Sequence, residues 1–566
     1  MSSLLRFCLC LLAVLSFAPV APAGAAAAQR PNIILILADD MGWSDLGCYG
    51  SEIETPHLDS LARGGLRFTQ FYNAARCCPT RAALLTGLYP HQAGIGDMVG
   101  NDGISSYQGF LNDRCVTLGE ALRPAGYTTL MVGKWHVGSA PGQWPLDRGF
   151  DRFWGTPSGG GVYFKDTLAL RPEVFFVRDA ERIEAPDDLY VTDTFMDRAL
   201  EFIDEAARRP ERPFFLYLAQ IAPHWPLQAK PADIAKYADR YDRGWDEVRS
   251  RRFARQQAMG LLPPGTQLSP RDPQAKPWAE MPAEARRDLA QRMAIYAAQI
   301  DCIDQNVGRL ISRLKQLGQF ENTLVLFLSD NGSSAEGGPG GFSRGVAGAP
   351  IGTGKSYASA GLEWANAADT PLRRFKMATH EGGISTPLIA HWPTRIAPRR
   401  PGAPESGALV HTPGHIVDMM PTLLDVAGAT YPAHRLGQPT LPLEGRSLLS
   451  LLVSPSASPS VPPSSPPRLL AWEHEGNRAI RQGDWKAVAG HGGPWELYNL
   501  AVDRTETRDL AAAQPERLSE LTRSWKAWAE RCGVWDRAEL IRHRQTRAKQ
   551  KAKGTGEKAA APASPR

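Results

Sequence analysis

Two apolar runs end in acidic doublets: Leu35-Ile36-Leu37-Ala38-Asp39-Asp40 and Leu326-Phe327-Leu328-Ser329-Asp330-Asn331. If both are parallel strands of one open sheet, their carboxyl ends share an edge, where three carboxylates and one amide oxygen meet. An oxygen-only set of this kind suits Ca²⁺ or Mg²⁺. Asp and Asn also open turns and cap helices, and the doublets admit that reading as well. A third strand runs into Gly133-Lys134-Trp135-His136, which in extended backbone puts Lys134 and His136 on one face. A fixed cation beside a proton-transfer group suits an oxyanionic substrate. Pro223-His224-Trp225-Pro226 offers a second stiffened histidine, and Lys376 precedes the turn Glu381-Gly382-Gly383.

These residues need a scaffold, and the sequence supplies an alternating one. Pro31–Ala38 reads as a strand buried on both faces. Thr55 reads as the cap of a short helix, with Pro56 in its first turn, Gly64 as its stop, and Leu58, Leu61 and Ala62 towards the sheet. Strand-like pieces follow at Thr128–Val132, Pro213–Leu218, Asn322–Leu328 and Thr386–Ala390. Apolar spacing of three and four predicts a long helix over Glu284–Leu317. The alternation predicts an α/β fold with a large, mixed but mostly parallel sheet sandwiched by helices. A smaller C-terminal α+β domain should carry an antiparallel sheet, with strands at Arg478–Arg481 and Trp485–Val488.

The expected divisions are a secretory signal over 1–28, a catalytic α/β domain over 29–440 and a C-terminal domain over 441–535. That last domain is interrupted by a Pro/Ser-rich linker at 454–467 (SPSASPSVPPSSPP), and a basic, disordered tail follows at 536–566. The whole chain of 566 residues carries a formal net charge of +5, yet residues 537–566 hold nine basic and two acidic side chains. The rest is nearly neutral, which gives no reason to expect a nucleic-acid partner. Residues Phe7–Phe17 are too short to span a bilayer and no later run is long enough, so export without stable membrane insertion is expected. Past the signal, Cys48, Cys77, Cys78, Cys115, Cys302 and Cys532 remain, too few for a disulfide scaffold, although one or two bridges would fit.

The segment Cys77-Cys78-Pro79-Thr80-Arg81-Ala82-Ala83-Leu84-Leu85-Thr86-Gly87 resembles the signature of the type I, formylglycine-dependent sulfatases of the alkaline phosphatase superfamily. The resemblance is to Cys-x-Pro-Ser/Ala-Arg followed by x-x-Leu-Leu-Thr-Gly, with Thr80 in place of the usual Ser or Ala. It implies that Cys77 is the cysteine converted to formylglycine, with Cys78 on the variable position. It also implies that Asp39, Asp40, Asp330, Asn331 and the converted Cys77 hold one Ca²⁺. Arg81, Lys134, His136, His224 and Lys376 match the sulfate-pocket residues, and the spacing from Lys376 to Glu381-Gly382-Gly383 is kept. Where the family commonly carries Arg after that turn, this chain has Ser385. Gly414–Gly428 and Glu496-Leu497-Tyr498-Asn499-Leu500 resemble later landmarks, so the resemblance spans about residues 30–535.

The resemblance implies an exported sulfate monoester hydrolase, periplasmic or extracellular and arylsulfatase-like, acting on a sulfated small molecule or glycan and matured by a formylglycine-generating enzyme. In that scheme Arg81 orients the nucleophile, Lys134 and Lys376 stabilise sulfuryl oxygens, His136 takes a proton, and His224 or Lys376 serves the leaving alcohol. Two alternatives stay open: a phosphonate or phosphate diester hydrolase of the same superfamily, and an unmatured glycan-binding protein without activity.

Overall fold

The computed structural model describes residues 30–396, 407–454 and 467–559, with side chains as far as residue 550. The expected signal segment, most of the Pro/Ser-rich linker and the last seven residues lie outside the described residues. The expected buried strand is β1 (Asn32–Asp39), paired in parallel with β7 (Phe214–Pro223) and β8 (Thr323–Ser329). Eleven strands form the sheet. In order they are β12 (Ala408–Val410), β2 (Leu66–Tyr72), β11 (Ser385–His391), β8, β1, β7, β3 (Thr128–Lys134), β4 (Arg152–Thr156), β5 (Phe176–Arg178) and β6 (Glu181–Ile183), with β13 (Gly414–His415) beside β2. Strands β8, β1, β7, β3 and β4 are mutually parallel, while β11 runs against both β8 and β2. The mixed, mostly parallel sheet is the one expected.

Alternation along β1 explains the two layers, because successive side chains leave opposite faces of a strand. Ile34, Ile36 and Ala38 join a core with the helices Val191–Ala207 and Ala283–Gln316. Ile33, Leu35 and Leu37 join another with the helices Cys77–Thr86 and Met419–Ala427. The long helix matches its apolar spacing to within a residue at each end. Strand β7 runs five residues beyond its expected end and so carries the chain directly to His224.

Two local expectations need correction. Thr55 stands at the start of the Pro56–Arg63 helix but makes no capping bond with its side chain. Its Oγ1 instead accepts from Gly47 N (2.9 Å) and donates to Asp59 Oδ1 (3.0 Å). Asp304, from the long helix, accepts the first helical N–H groups of His57 (3.1 Å) and Leu58 (2.7 Å), so a tertiary carboxylate displaces the local cap. The tail expected to be disordered forms a helix over Arg537–Ala559. Its basic composition is balanced by partners: Arg537 and Arg544 both reach Asp97 Oδ2 at 2.7 Å, Arg544 also binds Asp102, and Leu540 is buried.

The hairpin pair β9 (Ser343–Gly345) and β10 (Ser356–Ala358) stands apart from the main sheet, as does the short ladder of β14 (His434–Arg435) and β15 (Gln438–Pro439). The expected antiparallel sheet is β16 (Leu469–His474), β17 (Asn477–Gln482), β18 (Trp485–Ala489) and β19 (Glu496–Asn499). One face packs on Tyr72 and Ile384, the other on the helix Pro515–Cys532. A buried ion cluster joins the sheets. Glu381 accepts from Lys486 Nζ (2.9 Å), Arg504 Nε (2.6 Å) and Tyr72 OH (2.7 Å). Burial alone would raise the Glu381 carboxyl, but the charges of Lys486 and Arg504 outweigh it and bring it down to about 2. Ser385 lies in this cluster, accepting from Arg504 (2.8 Å), and not in the pocket described next. The six cysteines are all buried and unbridged.

Candidate catalytic and metal site

The parallel arrangement of β1, β8, β7 and β3 brings their carboxyl ends to one edge, and the ten candidate catalytic and metal-ligating residues read from the sequence meet there. Asp39 closes β1, and Asp40 follows with positive φ, which turns its carboxylate back across the edge. Asp40 N donates to Asp330 Oδ1 (3.2 Å), and Asn331 Nδ2 donates to Asp40 Oδ1 (2.6 Å). The two doublets are therefore one cluster. Arg81 ties it together from below, with NH2 on Asp330 Oδ2 (2.9 Å) and Asp39 Oδ2 (3.2 Å) and NH1 on the Lys134 carbonyl (2.8 Å). Lys134 Nζ lies 2.5 Å from Asp39 Oδ2. Lys376 Nζ lies 2.9 Å from Asp40 Oδ2, and His224 Nε2 lies 3.6 Å from the same oxygen.

Cys77 begins the Cys77–Thr86 helix, where unpaired N–H groups and the helix dipole favour negative charge. Thr80, the departure from the family signature, is used structurally: its Oγ1 accepts from Ala74 N (2.9 Å) and holds the turn before the helix. The ligand atoms of Cys77, Cys78 and His136 lie within 4.8 Å of one another. His136 does not stand on an extended strand as expected. β3 ends at Lys134, and His136 takes φ 58° while its N–H bonds to Pro157 O. The turn nonetheless delivers its ring to Cys77. Burial pushes His136 down to about 4, which leaves the imidazole neutral. A hydrogen bond from Cys78, outweighing burial together with the charge of Lys134, holds the Cys77 thiol well below its ordinary value.

The residues fit a hard divalent cation. Asp39 Oδ1 and Asn331 Oδ1 are buried oxygens with no hydrogen-bond partner among the described residues. Such orphans are costly unless a ligand meets them. Burial and the neighbouring Asp39 charge push Asp330 well above the ordinary carboxylate range, the mark of crowded carboxylates whose charge a cation would balance. Asp39, Asp40 and His224 also lie within 4.8 Å of one another through their ligand atoms.

Sequence reasoning missed Arg76 and Glu336. Glu336 accepts from Arg76 (3.0 Å), Lys376 (3.4 Å) and the Trp225 indole, so it fixes three groups that ring the cleft. It sits in a Gly/Ser-rich stretch, residues 333–357, where only its being the single acid of that run could have flagged it. Beyond His224 a wall of aromatic rings continues outward. Trp225 lies 4.5 Å from His224, 5.4 Å from Phe342 and 5.7 Å from Tyr357, and Arg171 stands 5.9 Å over the Trp225 ring. Gly332 and Gly382 allow the Lys376 loop to close on Asn331, because a Cβ on Gly332 would meet Gly382 O at 1.8 Å.

A family model described as Sulfatase matches residues 31–429. An arylsulfatase of Klebsiella aerogenes is 34% identical over 450 residues, covering 76% of this chain and 93% of that protein. An uncharacterized sulfatase of Schizosaccharomyces pombe is 34% identical over 543 residues, covering 90% and 95%. Among solved structures, Ps i-CgsB in complex with k-i-k-neocarrahexaose superposes with a TM-score of 0.65 at 27% identity, over 90% of this chain and 94% of that one.

Proposed function

This chain belongs to the sulfatase family and is a sulfuric ester hydrolase; from that premise we propose that it is an exported enzyme that cleaves sulfate monoesters of aromatic or glycan alcohols, using formylglycine made from Cys77 and one Ca²⁺. One observation carries the reading. The buried Cys77 side chain lies at a helix start among Lys134, His136 and the carboxylates of the two doublets. A thiol is a poor choice for the task, since the sulfated intermediate must also break down. A hydrated aldehyde at this position supplies two hydroxyls, one to accept the sulfuryl group and one to release it. A bound Ca²⁺, held by Asp39, Asp40, Asp330, Asn331 and the converted Cys77, supplies a Lewis acid for a sulfate oxygen and lowers the cost of an alkoxide nucleophile.

The chain's own groups do the rest. Arg81, anchored on Asp39 and Asp330, fixes the first turn of the Cys77 helix and orients the nucleophile. Lys134 and Lys376 are buried cations, each on one carboxylate of the cluster, aimed where charge grows on the sulfuryl oxygens. His136 accepts the proton of the second hydroxyl. His224, hydrogen-bonded through Nδ1 to Trp225 O, presents Nε2 towards Asp40 and shares with Lys376 the duty of serving the leaving alcohol. That alcohol then lies against Trp225, Phe342 and Tyr357, a surface fit for a flat aromatic or sugar ring.

The test is direct. The tryptic peptide Cys77–Arg81 from the native host should carry an aldehyde in place of the thiol. Activity on a panel of sulfated phenols and glycans should fall with chelator and return with Ca²⁺. The Cys77→Ser variant should release one alcohol per chain in a burst and then stop, since a serine ester has no second hydroxyl. Steady turnover by that variant, or an unmodified thiol in fully active protein, overturns the reading.

A further inference from the structure

A second cluster lies on the far side of Cys78, outside the groups used above. Asp97, His474 and Glu475 each offer a ligand atom, and these atoms all lie within 4.8 Å of one another. His474 ends β16 and is fully buried, yet neither of its ring nitrogens has a hydrogen-bond partner among the described residues. Asp97 is 3% exposed, and its Oδ1 is likewise without a partner, while Oδ2 is taken by Arg537 and Arg544. Glu475 follows His474 with φ 52°, a left-handed conformation that a residue other than glycine seldom adopts. The turn thus sets a second carboxylate beside the first.

A buried imidazole with both nitrogens unmet is costly, and although Arg537 lies 2.7 Å from Asp97 and 3.9 Å from Glu475, Asp97 Oδ1 stays unmet. Burial, followed by the charge of Arg76, pushes His474 down to about 3, so its ring is neutral and keeps a lone pair. Burial and the nearby Asp97 charge raise Glu475 despite Arg76. A hydrogen-bonded partner could meet one nitrogen; a cation also meets the crowded oxygens. The donor set of one imidazole nitrogen and two carboxylates differs in kind from the oxygen-only doublets and matches the borderline-soft Zn²⁺.

We propose that Asp97, His474 and Glu475 form a second metal site, selective for Zn²⁺ or a similar transition cation, that fastens the β16–β17 turn to the loop behind Cys78. Asp97 O lies 3.7 Å from Cys78 Sγ, so this ion would brace the loop behind the nucleophile without touching the reacting atoms.

The experiment uses full-length protein carrying Cys77→Ala, which removes the thiol that could hold zinc with Cys78 and His136. Zn²⁺ is titrated by calorimetry with Ca²⁺ in excess. One zinc per chain is expected, with affinity at least about tenfold weaker in His474→Ala and in Glu475→Gln. Should His474→Ala fail to fold, Glu475→Gln carries the comparison, and anomalous scattering at the zinc edge locates the ion in the parent. Absence of stoichiometric zinc, or zinc bound equally well by the Glu475→Gln variant, overturns the proposal.

Discussion

Lys134 and Asp39 form a contact buried from solvent, and each carries part of the other's meaning. Removing the ammonium leaves Asp39 with Arg81 as its cationic partner and strips one positive charge from the sulfuryl side of the pocket. Lys134→Ala should therefore lower kcat by about 10²–10³-fold, with a smaller change in KM, because the charge acts mainly on the transition state. Steady-state kinetics on a sulfated phenol checks this, and an effect confined to KM would contradict it. Trp225→Ala belongs to the same scale with the opposite split. The ring touches no reacting atom, so KM for a bulky sulfated glycan should rise while kcat on a small aryl sulfate changes little. The acidic doublets and Lys134-Trp135-His136 drew notice at strand ends, whereas Cys77 and Arg81, on the Cys77–Thr86 helix, were legible only through the resemblance of their segment to a known signature. Arg76 and Glu336 were not, since a single Arg or Glu carries no periodic signal and their roles arise only from the fold that pairs them at 3.0 Å.

At the scale of elements, the joint between the two sheets rests on Glu381, with Lys486 and Arg504 as its cations. Its carboxyl sits at about 2 against an ordinary 4.5. A depressed acid contributes stability that is complete above the unfolded value and is lost as pH falls through the folded one. Thermal unfolding should therefore show a loss on the order of 3 kcal/mol between pH 4.5 and 2 from this group. Glu381→Gln takes the carboxylate contact from buried Arg504, leaves Lys486 with Glu506 alone (2.8 Å), and should cost about 3–5 kcal/mol at neutral pH, with a flatter acid limb. An acid limb as steep as that of the parent would refute the assignment. The strands and the long helix could be read ahead of the structure because their spacing is local. This cluster could not, because Tyr72, Glu381, Lys486 and Arg504 meet only through tertiary packing. Asp304 illustrates the same limit, since it caps a helix some 250 residues away in the chain and overrides the Thr55 signal beside it.

Across the whole molecule, the C-terminal helix returns to the loop behind Cys78. Truncation before Arg537 removes the guanidinium partners of Asp97 and Asp102 and uncovers the socket of Leu540. Partly exposed ion pairs contribute little, so the thermal midpoint should fall only modestly, whereas proteolysis around residues 97–112 should become markedly faster. Equal cleavage rates in the two proteins would deny the helix this role. Composition hid the element because nine basic side chains read as a solvated tail until their acidic partners are found in space. Cys77 is 3% exposed at the carboxyl edge of the finished sheet, out of reach of another protein's catalytic pocket. If Cys77 is the residue converted, as proposed above, its burial requires conversion before the chain folds. A host supplied with the maturing enzyme only after translation ends should accumulate well-formed but permanently inert protein.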